Sequence, residues 1–134
     1  MGTPPTPPVL TVTSVTITAP DPRRLAEFYA RLLGVEVTTI EDPGPDEPDT
    51  AGWAQIRTER LTLNFEFEQH WQRPNWPAAP GEQFASQHLD IHVEHLDGGV
   101  AWAEQCGATL ADVQRLPDVR VMIDPAGHPF CLFT

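Results

Sequence analysis

The sequence predicts an α+β fold built from two similar halves, each a strand, a helix and three further strands. Three observations carry that reading. Leu89, Ile91 and Val93 alternate with His88, Asp90 and His92, the period of a half-buried strand, and a helix start follows at once. The same order, strand then capped helix, occurs earlier at Val15 to Leu25 with a different polar face. Short strand-like stretches then follow each helix, and internal repetition of this kind is a fold-level signal.

Composition narrows the class. At 134 residues the chain has enough core to fold without disulfides or metals as staples. The net charge is -11 and all 8 basic residues are Arg, so no basic face is available for nucleic acid or an anionic membrane. The two cysteines, Cys106 and Cys131, make no disulfide framework. Neither a signal peptide nor an apolar run of membrane-spanning length is visible, and a cytoplasmic location is expected.

The elements follow in order. Residues 1–8 hold four prolines and are expected to form a loose tail. A first module over 9–68 begins with a strand from Leu10 to Thr18, whose phase slips at Thr13-Ser14 as at a bulge. Beyond the slip, Ser14, Thr16 and Thr18 share the face opposite Val15 and Ile17. Asp21 and Pro22 suit a helix cap and first position, Leu25, Phe28, Tyr29, Leu32 and Leu33 form an apolar stripe, and Gly34 ends the helix. Strands are expected at Val35 to Ile40, Trp53 to Arg57 and Leu61 to Phe67. In the last, Thr62, Asn64, Glu66 and Glu68 form the polar face. The acidic, Pro- and Gly-rich stretch from Glu41 to Thr50 is a surface loop.

Residues 69–86 read as a linker, whose Trp71 and Trp76 either pin it to the surface or cover a ligand mouth. The second module, 87–134, repeats the order. Its strand is His88 to Glu94, and Asp97 is the expected cap of a helix ending at Gly107. Further strands are expected at Thr109 to Val113, Val119 to Ile123 and Pro129 to Phe133. Asp124-Pro125-Ala126-Gly127 turns between the last two.

At this point the chain resembles the vicinal-oxygen-chelate superfamily, which includes glyoxalase I, bleomycin-resistance proteins and extradiol dioxygenases. The matching segments are Ala19-Pro20-Asp21-Pro22 with Phe28-Tyr29 and Leu32-Leu33-Gly34, then His88-Leu89-Asp90-Ile91-His92-Val93, then Asp124-Pro125-Ala126-Gly127-His128-Pro129-Phe130-Cys131-Leu132. The last is similar to the small glyoxalase-like branch. The resemblance implies two paired βαβββ modules forming an eight-stranded cup, with one helix packed on each sheet, and often a homodimer. It also implies four metal-ligand positions. They fall on Ser14, on Asn64 or Glu66, on His88 and on Cys131.

That ligand set looks broken. Serine is a poor ligand for a divalent ion, and cysteine suits zinc better than iron or magnesium. His88 and His92 stand about 13 Å apart along a strand, too far to share one ion. The expectation is therefore no cofactor, with a divalent metal at His88 and Glu66 as the fallback. The first functional reading is a small-molecule-binding protein of the glyoxalase/bleomycin-resistance type, holding an organic ligand in the cup. The lining would come from Ser14, Thr16, Trp53, Gln55, Asn64, His92, Arg120, Met122 and Cys131, with Arg120 the natural partner of a ligand carboxylate. The second reading is a lyase, isomerase or cyclase using His88 with Asp90 or Glu66 as acid and base. The third is a structural module without a ligand. Fold alone does not separate them.

Overall fold

The computed structural model describes residues 2–4 and 6–134. The loose-tail expectation for 1–8 falls partly on Met1 and Pro5, which lie outside the described residues. The first half runs β1 (Ser14–Ala19), α1 (Pro22–Leu33), β2 (Thr39–Glu41), β3 (Trp53–Arg57) and β4 (Thr62–Phe67). The second runs β5 (Asp90–His92), α2 (Leu96–Cys106), β6 (Thr109–Leu110), β7 (Val119–Ile123) and β8 (Pro129–Phe133). The two sheets have the same topology, β1-β4-β3-β2 and β5-β8-β7-β6. In each, the first strand lies parallel to the last and the other pairs are antiparallel. This is the paired βαβββ, α+β architecture.

Local chemistry explains most element ends. The Asp21 carboxylate accepts from the Arg24 N–H at 3.3 Å, Pro22 opens α1, and Gly34 closes it at φ 69°. In α2 the cap is His95 rather than Asp97, and no side chain caps it. Leu96 packs against the core, so the helix starts before the polar residue. Asp97 sits instead in the first turn, where its charge complements the helix dipole.

Several strands are shorter than their sequence patterns. β1 starts at Ser14, which pairs with Thr62, the first residue of β4. Among the described residues, those farther upstream have no partner strand, and Val9, Leu10 and Val12 stand exposed. The slip at Thr13-Ser14 thus marks the strand's start, not a bulge. Limited pairing likewise trims β2 to Thr39–Glu41, β5 to Asp90–His92 and β6 to Thr109–Leu110.

The two halves share one core. The strand residues Val15, Ile17, Leu63, Phe65, Ile91 and Leu132 all contribute to it. Tyr29 stacks on Phe65 with ring centroids 5.8 Å apart and meets Phe130 from the other half at 6.0 Å. The Trp102 indole N–H donates to the Leu32 carbonyl at 3.0 Å, tying α2 to the end of α1.

Register corrects two expected cup residues. Met122 pairs with Phe130 and Arg120 with Leu132, so both belong to the helix side of the second sheet. Met122 is fully buried in the core. The Arg120 guanidinium donates to the carbonyls of Leu116, Pro117 and Val119, and so holds the turn before β7. The run Val119-Arg120-Val121-Met122-Ile123 has hydrophobic residues on both faces, which leaves alternation without a phase. Val119, Val121 and Ile123 are the residues on the concave side.

Candidate functional site

The concave faces of the two sheets carry the polar residues that alternation singles out. In the first sheet the rows are Ser14–Thr62–Arg57, Thr16–Asn64–Gln55 and Thr18–Glu66–Trp53. Gln55 Nε2 donates to Asn64 Oδ1 at 2.9 Å, which links the two amides across the strands. In the second sheet Asp90 pairs with Cys131 and His92 with Phe133. The His92 ring meets Phe133 edge-on with centroids 5.5 Å apart.

Pseudo-symmetry fixes the position that sequence leaves open. Ser14 and His88 lie at the same distance before their helix caps, Asp21 and His95. Two residues beyond His88, Asp90 faces Cys131; two beyond Ser14, Thr16 faces Asn64. Asn64 is therefore the counterpart of Cys131, and Glu66 the counterpart of Phe133. The set Ser14, Thr16 and Asn64 stands where the second half has His88, Asp90 and Cys131.

The second set is closely grouped. His88 Nε2 lies 3.1 Å from Asp90 Oδ1, and the potential ligand atoms of His88, Asp90 and Cys131 are all within 4.8 Å of one another. Burial, together with the charge and hydrogen bond of Asp90, pushes the Cys131 thiol up from its ordinary value. Glu66 is not in this group; it borders a separate acidic recess of about 370 Å³ with Glu41, Asp42, Glu47 and Trp53.

A larger cavity, of about 580 Å³, lies between β1, the edge strand of the first sheet, and the segment that leads into β5. Thr16 and Thr18 line it from β1, His88 from just before β5, Tyr29 from α1, and Trp71, Pro74 and Phe84 from the linker. Trp71 thus lines a cavity, whereas Trp76 packs under the Arg115 guanidinium, 5.5 Å from its ring centroid. Of the expected concave-side residues, Thr16 and His88 reach this cavity; Ser14, Trp53, Gln55, Asn64, His92 and Cys131 do not line it.

Sequence reasoning misses two residues at the cavity, Tyr29 and His128. The Tyr29 hydroxyl donates to Asp124 Oδ2 at 2.7 Å. Asp124 Oδ1 accepts from the N–H groups of Ala126 and His128 at 2.9 Å each. Burial raises the Asp124 carboxyl, opposed by the nearby His128, the Tyr29 hydroxyl and those N–H groups. Burial likewise lifts Tyr29 well above the ordinary phenol value, reinforced by the Asp124 charge and hydrogen bond. The His128 ring packs edge-on against Trp71, and its Nε2 lies 2.8 Å from the Thr18 carbonyl. A carbonyl only accepts, so Nε2 is the donor in this contact. Within the Asp-Pro-Ala-Gly-His run only the turn is legible, because Tyr29 is 95 residues away in sequence from Asp124.

Residues 14–133 match the family described as Glyoxalase-like domain. The chain belongs to that family. It falls within the vicinal-oxygen-chelate superfamily, in agreement with the sequence segments quoted above. No curated protein matches the sequence. Among solved structures, a glyoxalase family protein from Enterococcus faecalis matches with a TM-score of 0.68 at 18% identity, over 92% of this chain and 97% of that one. TnmS3, an antibiotic binding protein from Streptomyces sp. CB03234, matches with a TM-score of 0.57 at 17% identity, over 93% and 95%. A mutant of the fosfomycin resistance protein FosX from Listeria monocytogenes, complexed with Mn(II) and 1S,2S-dihydroxypropylphosphonic acid, matches with a TM-score of 0.69 at 12% identity, over 93% and 92%. At these identities the structures establish the shared fold.

A manganese-type site drawn from both halves does not fit this glyoxalase-like chain. Manganese favours oxygen donors such as carboxylates. Here the first half offers Ser14, Thr16 and Asn64, neutral groups with Asn64 already bonded to Gln55. The second half offers a thiol at Cys131. No chemistry through manganese is assigned to the chain.

Proposed function

We propose that this glyoxalase-like protein binds a small organic ligand between its two halves. The observation that carries the reading is the cavity of about 580 Å³, a size suited to a drug-sized molecule. Its walls combine an aromatic and aliphatic surface from Trp71, Phe84, Val15 and Ile17 with a few polar groups, Thr16, His88 and His128. That lining suits a ligand with a flat apolar body and one or two hydrogen-bonding groups. On this reading the ligand lies beside β1 and the linker rather than on the open sheet faces. Relatives of the fold that bind an antibiotic or a phosphonate are consistent with this use. The test is a thermal-shift screen of small aromatic and glycosidic compounds, followed by calorimetry. Hits that lose affinity in Trp71→Ala and Thr16→Trp support the proposal. A screen in which every hit binds both variants as tightly as the parent rejects it.

One observation favours a second reading, an enzyme of the lyase or isomerase type. His88, which lines the cavity, lies 3.1 Å from Asp90, a base–carboxylate pair at hydrogen-bonding distance. Turnover of a bound compound, lost in His88→Ala and reduced in Asp90→Asn, would select this reading over simple sequestration. Glu66 is left out of the pair. The proposal includes a cytoplasmic homodimer. Light scattering tests the dimer.

A further inference from the structure

We propose that the second half alone builds a zinc site from His88, Asp90 and Cys131, leaving one coordination position open. The proposal goes beyond ligand binding in the cavity and does not depend on it. It also departs from the expected absence of a metal and from an ion shared between the halves.

The geometry is close to what the ion needs. Zinc bonds of about 2.0–2.3 Å in a tetrahedron put neighbouring donor atoms roughly 3.3–3.6 Å apart. The pair His88–Asp90 already stands at 3.1 Å, and no donor pair of the three exceeds 4.8 Å. Side-chain rotation of about an ångström closes the set. His88 and Asp90 are free to make it, with side chains 48% and 61% exposed. The backbone beneath is fixed, since Asp90 and Cys131 are registered neighbours and the Cys131 N–H donates to the Leu89 carbonyl at 2.9 Å.

Donor chemistry selects the ion. One imidazole, one carboxylate and one thiolate form a mixed set that a borderline-soft ion takes readily, whereas magnesium, calcium and manganese favour oxygen. Three protein ligands with a fourth position free is the pattern of zinc sites that accept a further group. His88 also lines the large cavity, so the site borders the space proposed for the ligand. The counterpart set Ser14, Thr16 and Asn64 has no imidazole, carboxylate or thiol. The two halves share a fold, but only one has a complete donor set, and Asp90 is the residue that makes it self-sufficient.

The competing account is that Asp90 merely accepts hydrogen bonds from His88 and the Cys131 thiol. Purification without metal affinity, chelator stripping and titration with zinc, cobalt and manganese separate the two. The expected result is one zinc per chain retained through desalting, with no manganese retained. The cobalt form should show tetrahedral d–d bands and a thiolate-to-cobalt charge-transfer band that disappears in Cys131→Ser. Asp90→Asn and His88→Ala should each weaken zinc by at least about tenfold, since even loss of an outer partner of a ligand costs that much. His70→Ala and His95→Ala should leave it unchanged. Asp90 is exposed, so Asp90→Asn keeps the test valid if Cys131→Ser folds poorly. Failure to retain zinc overturns the proposal. So does zinc binding that is indifferent to Asp90→Asn and Cys131→Ser. Neither outcome bears on the calorimetric test of the organic ligand in metal-free protein.

Discussion

Replacing Tyr29 by Phe removes one oxygen and nothing else, and the structure says what that oxygen does. It donates at 2.7 Å to Asp124, a carboxylate 1% exposed, and the two residues come from different halves of the chain. The ring packing against Phe28, Phe65 and Phe130 survives the change. What is lost is a hydrogen bond to a charged group, and a buried carboxylate oxygen is left without a partner, at a cost of about 2 kcal/mol. Unfolding entropy is about 2.1 cal/mol/K per residue, or roughly 0.28 kcal/mol/K for the whole chain, so the melting temperature should fall by about 7 °C. The pH dependence has a definite sign. Burial holds the Asp124 carboxyl above the usual carboxylate value, so the fold binds its proton more tightly than the unfolded chain does. Stability from this group therefore falls as pH rises from about 3.9 through the folded value, and the cost is complete above it. Loss of the Tyr29 hydroxyl pushes the carboxyl further up. The deficit of Tyr29→Phe should be largest at neutral pH and shrink toward about pH 4. Calorimetric melts of both proteins across that range test it. A fall below about 2 °C at neutral pH, or a deficit that grows on acidification, would refute the role given to this pair.

Other positions make separate predictions. Gly127 sits at φ 101°, and a Cβ there would lie 2.5 Å from Arg73 Cγ, so Gly127→Ala should cost about 1–3 kcal/mol in urea denaturation. Trp71→Ala should weaken cavity ligands at least about tenfold, for it removes a wall of the cavity, while Trp76→Ala should leave affinity unchanged; calorimetry on the two variants compares them directly. In metal-free protein the raised Cys131 thiol should react with a disulfide reagent more slowly than free cysteine near neutral pH. The rate should climb as pH is raised, and fast labelling at neutral pH would contradict the environment described for it.

How far the sequence reaches depends on how one-sided each strand is. In the strand of His88 to Val93, polar and aliphatic residues alternate cleanly, so alternation alone groups His88 with Asp90. β7 has hydrophobic residues on both faces, and only its pairing with β8 shows that Arg120 and Met122 point toward α2. The choice between Asn64 and Glu66 needs register as well, because both lie on the polar side of β4 and differ by one full strand repeat. Helix α1 announces its start through Asp21-Pro22. In α2 the burial of Leu96 outweighs the capping preference of Asp97. The Tyr29–Asp124 bond spans 95 residues of sequence, and no local pattern encodes it.

The shared core has a consequence for taking the molecule apart. Phe28 and Tyr29 from one half rest on Phe130 from the other, and Trp102 is bonded across to Leu32. A chain cut within the linker would yield two fragments, each with a bare aromatic surface that its sister alone fits. Neither fragment should hold its structure in isolation, yet mixing them should restore both together. The protein is thus suited to fragment complementation, where the return of one fold reports that two polypeptides have met.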